Sequence, residues 1–107
     1  MALLALCRRD ELPPGAVVCK RLPNGRQIAV GHSEDPEVGF VAFEPRCPHF
    51  RGPLWLGQLR GRNIICPWHF FRFDLSTGKP PNMESVIQLQ LFPITLRDGE
   101  VCVDVDG

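Results

Sequence analysis

The sequence predicts an all-β domain, and three observations carry that reading. Val86-Ile87-Gln88-Leu89-Gln90-Leu91 alternates apolar and polar residues with period two, as a strand with one buried face does. Asn24-Gly25 and Asp98-Gly99 each separate two apolar runs, and both dipeptides accept the positive φ that tight hairpin turns require. No stretch keeps a helical apolar period long enough to predict a long helix.

Taken in order, Leu3 to Cys7 is a short strand, released by the Pro-bearing turn Asp10 to Gly15. Val17 to Arg21 and Gln27 to His32 are the arms of the Asn24-Gly25 hairpin. Ser33 to Val38 is a polar loop, and Phe40 to Glu44 is the next strand. Glycines and prolines then punctuate short runs: Leu59 to Ile65 turns at Gly61, with Asn63 to Ile65 as a strand, and Phe70 to Leu75 is another. Val86 to Leu91 follows the Lys79-Pro80-Pro81-Asn82 loop. Ile94 to Arg97 and Glu100 to Val105 flank Asp98-Gly99.

A chain of 107 residues is one domain with a modest core, with no room for a second catalytic domain. The apolar start Met1 to Leu6 is cut off by Arg8, Arg9, Asp10 and Glu11, too soon for a signal-peptide core or a membrane span. The chain is therefore expected in the cytoplasm, where its five cysteines stay reduced. Cys7, Cys19 and Cys102 sit in strand segments and read as small buried hydrophobes.

Formal net charge is zero but unevenly spread. Between Cys47 and Pro80, Arg51, Arg60, Arg62, Arg72 and Lys79 face Asp74 alone; from Pro81 onward Arg97 stands against Glu84, Asp98, Glu100, Asp104 and Asp106. Such a basic end is either a solvated face or a surface that steers an acidic partner. It forms no extended stripe, so nucleic acid is not an expected partner.

Chemistry concentrates in Cys47-Pro48-His49 and Cys66-Pro67-Trp68-His69. Two thiols and two imidazoles are the donor set of a soft or borderline metal centre. Pro48 and Pro67 fix φ and remove a donor, which stiffens the loops that carry these groups. On donor chemistry alone, tetrahedral zinc is a rival, although no helix supplies the His pair as in a zinc finger. No Ser, His and carboxylate constellation and no phosphate-cradling glycine loop accompanies the pair. His32 reads as a surface imidazole, and Asp74 as a turn former or hydrogen-bond acceptor.

These two boxes, with Arg72-Phe73-Asp74-Leu75-Ser76-Thr77-Gly78 after them, make the chain resemble the Rieske [2Fe-2S] proteins over nearly all its length. The resemblance implies an antiparallel β-sandwich or barrel-like base, residues 1–45 and 83–107, with a small cluster-binding subdomain inserted at 46–82. It implies a [2Fe-2S] cluster in which Cys47 and Cys66 bind one iron and His49 and His69 the other.

High-potential members place a disulfide where this chain has Gly52 and Trp68, and hydroxyl donors where it has Phe71 and Phe73. A low potential is therefore expected, on the order of −150 mV. The ferredoxin-type members lack the same groups. They shuttle single electrons from a flavin-dependent reductase to a terminal oxygenase, so the chain is expected to be a monomeric carrier and no enzyme itself. Phe50, Pro67, Trp68 and Phe70 would ring the ligand histidines, either shielding the cluster or docking the partner. The alternative within the same fold is the small subunit of an NADH-dependent nitrite reductase.

Overall fold

The structure is a computed structural model and describes residues 3–48, 51–68, 71–80 and 87–104. Ten strands are seen among them: β1 Leu3–Arg8, β2 Val17–Arg21, β3 Gln27–His32, β4 Phe40–Phe43, β5 Gln58–Arg60, β6 Asn63–Ile65, β7 Arg72–Asp74, β8 Leu91–Phe92, β9 Ile94–Arg97 and β10 Glu100–Asp104. Two single-turn 3₁₀ segments, Arg9–Glu11 and Leu54–Leu56, are the helical pieces among the described residues. None is long and apolar enough to cross a membrane.

The strands form three antiparallel sheets, β1-β10-β9, β2-β3-β4-β8 and β5-β6-β7. Both hairpins stand where the turn dipeptides place them. Asp98 and Gly99 both take positive φ, 52° and 77°, and join β9 to β10 with Arg97 opposite Glu100. Gly25, φ 88°, turns β2 into β3, and the Arg21–Gln27 pairing carries the register back to Val17–Gly31. In β1 the pairing with β10 slips between Ala5 and Cys7, a bulge that bends the strand locally.

The second sheet is the middle layer. Ile28, Val30 and Ala42 face the first sheet, packing with Leu4, Leu6, Val101 and Val103. Ala29 and Phe43 face the other way, into a cluster with Leu54, Leu59, Ile64 and Phe73 of the third sheet and its loops. A strand buried on both faces loses the alternation of a half-exposed one, which is why Ile28-Ala29-Val30 is apolar without interruption.

Several sequence expectations are corrected. Ile87 to Gln90 keeps the expected burial alternation, with Leu89 buried and Gln88 and Gln90 exposed, but joins no ladder; the strand is only Leu91–Phe92. Its backbone serves single contacts instead, with Leu89 N–H donating to Gly78 O at 2.6 Å and Gln90 O accepting from Glu44 N–H at 2.9 Å. Val86 lies outside the described residues. So does Phe70, and the strand expected there is Arg72–Asp74.

His32 is not a surface imidazole. Its Nδ1 lies 2.7 Å from Leu12 O and its ring stacks on Phe40 at 4.0 Å, so it pins the buried Leu12 turn to the second sheet. Next to it, buried Ser33 donates from Oγ to Gly61 O at 2.5 Å, tying the second sheet to the β5–β6 turn. Cys7 and Cys102 are buried as expected, whereas Cys19 is only half-buried.

Candidate metal centre

The two boxes lie on two loops, one after β4 and one between β6 and β7. Both close in the same way. Cys47 N–H donates to Gly52 O at 2.9 Å, and Cys66 N–H donates to Phe71 O at 2.7 Å, so each six-residue loop is cinched by its cysteine's amide bonding the carbonyl five residues on. In the first loop Arg51 N–H also reaches back to Cys47 O at 2.6 Å, and Arg51 adopts a left-handed φ of 58°. Such a conformation is uncommon for a residue with a Cβ and persists only where surrounding bonds over-determine it.

The 3₁₀ turn Leu54–Leu56 braces the loops from beneath. Gly57 at its end lies so close to the strand that a Cβ there would collide with Ile65 O, immediately before Cys66. After β7, the Asp74 carboxylate accepts from Ser76 N–H at 2.8 Å and Ser76 Oγ at 2.6 Å, closing the tail of the motif into an Asx turn. Burial alone would raise the Asp74 carboxyl; the two Ser76 bonds and the Arg62 charge outweigh it and hold the group below its ordinary value. The turn role expected for Asp74 is the one observed.

The sulfurs of Cys47 and Cys66 meet at this point. The residues are 2% and 1% exposed, lie together in one buried cluster, and neither is in a disulfide. Burial pushes the Cys66 thiol above its ordinary value; the Trp68 backbone works against that, and the adjacent Cys47 works with it. Both cysteines belong to the core cluster of Phe43, Leu54, Leu59, Ile64 and Phe73, so the sulfurs rest on a rigid apolar floor. His49 and His69, the other expected donors, lie outside the described residues, as do Phe50 and Phe70.

Of the collar expected around the histidines, Pro67 and Trp68 are exposed, Trp68 at 51%. Leu56, 58% exposed, joins them: with Pro67 and Arg72 it lines a cavity of about 330 Å³ beside Cys66. The sequence did not single out Leu56, because a leucine in a Leu-Trp-Leu run carries no signal that one of the three turns outward. Gly52 and Trp68 have no means of forming a disulfide, yet they touch: a Cβ on Gly52 would lie 2.9 Å from Cδ2 and Cε3 of the indole.

Comparison with known proteins agrees with this geometry. The family model for the Rieske [2Fe-2S] domain matches residues 2–93. The ferredoxin component of the p-cumate 2,3-dioxygenase system of Pseudomonas putida is 34% identical over 104 residues, covering 96% of this chain and 86% of that one. A chain of the solved complex of reduced oxygenase and oxidized ferredoxin in carbazole 1,9a-dioxygenase is 30% identical, with a TM-score of 0.78 over 94% of this chain and 91% of its own. The structure of a putative NADH-dependent nitrite reductase small subunit from Mycobacterium tuberculosis superposes with a TM-score of 0.82 over 95% of this chain and 93% of its own, but at 19% identity that likeness concerns the fold alone. The two buried thiols on matched loops, the β architecture and these similarities place the chain in one group: it belongs to the Rieske [2Fe-2S] domain family.

Proposed function

We propose that this chain is a one-electron carrier, its Rieske-type [2Fe-2S] cluster held by Cys47, His49, Cys66 and His69, serving a terminal oxygenase that it supplies from a flavin-dependent reductase. The observation that carries the reading is the convergence of two buried, unoxidised thiols on two identically closed loops. Burial pushes the Cys66 thiol above its ordinary value; Cys47 and Cys66 would hold iron as thiolates, the form in which cysteine ligates a metal. When bound, the cluster takes up and gives up a single electron. The donor set therefore fits the family's cofactor, and family membership favours it over zinc.

Leu56 and Pro67 line one cavity with Arg72, and Trp68, next in sequence to Pro67, is exposed, a composition suited to transient docking of an acidic partner. Phe50 and Phe70 belong to the same proposed surface. Phe73 is fully buried beneath the thiols and, like Phe71, offers no hydroxyl to a sulfur, which supports a midpoint on the order of −150 mV. The division into a base, 1–45 and 83–107, and a cluster-binding subdomain, 46–82, belongs to this reading, supported by the third sheet, whose strands pair only with one another. So do a cytoplasmic location and a monomeric state.

The relatives named as ferredoxin components favour the oxygenase partner over the nitrite-reductase alternative. Reconstitution separates them. Purified chain added to a reductase and an aromatic-ring oxygenase is expected to raise product formation at least tenfold. No stimulation, with the chain instead comigrating with a sirohaem enzyme, would reverse the assignment.

A further inference from the structure

We propose that Gly52 and Trp68 form a clasp that fixes the two ligand loops against each other, making Trp68 a positioning residue; the proposal rests on the carrier reading only for its consequence at the cluster. Gly52 is buried, and its φ is not in the left-handed region, so its backbone conformation is open to any residue. The left-handed position in this loop is taken by Arg51. Glycine at 52 is therefore required by space, not by φ, and the space is filled by the indole of Trp68: an added Cβ would stand 2.9 Å from two ring carbons and 3.1 Å from a third.

The two partners are also the residues that organise their own loops. Gly52 O accepts the Cys47 amide that closes the first loop and the Leu54 amide that starts the 3₁₀ turn, both at 2.9 Å. Trp68 lies two residues after Cys66, inside the loop that the Cys66 amide closes on Phe71 O. A ring resting on Gly52 thus couples the residue whose carbonyl closes the first loop to the second ligand loop. The ring is still half-exposed, so a partner pressing on it would also press on the clasp.

A double-mutant cycle tests this on the full-length protein. Hydrogen exchange at the Cys47 amide and the rate of cluster bleaching by a chelator are measured in wild type, Gly52→Ala, Trp68→Ala and the double variant. Gly52→Ala is expected to accelerate both at least tenfold. In the Trp68→Ala background the three atoms nearest the added methyl are gone, so the double variant is expected to match Trp68→Ala within twofold. If Gly52→Ala fails to fold, removing the indole is expected to restore folding. Equal effects of Gly52→Ala with and without the ring, or no rescue, would overturn the clasp. The amide readout is also taken on the iron-free chain, so a chain that binds no cluster would refute the carrier reading and leave the clasp still decided.

Discussion

The β2–β3 hairpin and the pair of ligand loops bury their key residues equally well by different means. In the hairpin, register runs unbroken from Val17–Gly31 to Arg21–Gln27, and Ile28, Ala29 and Val30 are sealed because layers lie on both sides. In the loops almost nothing repeats. Cys47 and Cys66 are held by the amide-to-carbonyl closure of each loop, by the further Arg51 N–H bond to Cys47 O, by the Gly57 approach to Ile65 O, and by the Gly52–Trp68 contact. A ladder shares its load over many residues, whereas a loop of single contacts depends on each of them. Core changes should therefore lower global stability and spare loop geometry, and loop changes should do the reverse.

The largest effect is expected from Cys66→Ser. It should abolish the cluster's visible absorbance, while the β2–β3 amides keep their wild-type protection in hydrogen exchange; loss of that protection would mean that the base depends on the cluster. Ile28→Ala should lower unfolding free energy by about 2–5 kcal/mol, since Ile28 is fully buried between the first and second sheets. Denaturant titration measures it, and chelator bleaching under native conditions should stay within a few-fold of wild type.

Gly57→Ala should cost about 1–3 kcal/mol by overpacking against Ile65 O. Unlike Ile28→Ala, it should also speed exchange at the Cys66 amide. The smallest change is expected from Asp74→Asn. The folded Asp74 carboxyl titrates below its ordinary value, so its contribution is complete above about pH 4 and is lost as pH falls through the depressed value. Wild type should therefore lose stability more steeply than Asp74→Asn in that acidic window, with the two curves parallel at neutral pH.

Where backbone chemistry is local, the sequence was readable. Asn24-Gly25 and Asp98-Gly99 set two turns, and β2 and β3 begin and end at the residues expected, because turn type fixes register. Of the four donor residues singled out, Cys47 and Cys66 come together in one buried cluster, and His49 and His69 lie outside the described residues. Alternation misled at Ile87 to Gln90, since period two reports which side is buried and not whether a neighbouring strand is present. His32, the outward Leu56 and the Gly52–Trp68 contact were invisible because each depends on a residue distant in sequence or on which way a side chain turns.

The central claim is that these loops hold a histidine-ligated [2Fe-2S] cluster, and the direct test is metal and sulfide analysis joined to electron paramagnetic resonance of the reduced protein. Iron and sulfide in the proportion of a [2Fe-2S] centre are expected, with one reducible spin whose nitrogen couplings disappear when His49 and His69 are replaced. Stoichiometric zinc, or a lone iron without sulfide, would contradict the account.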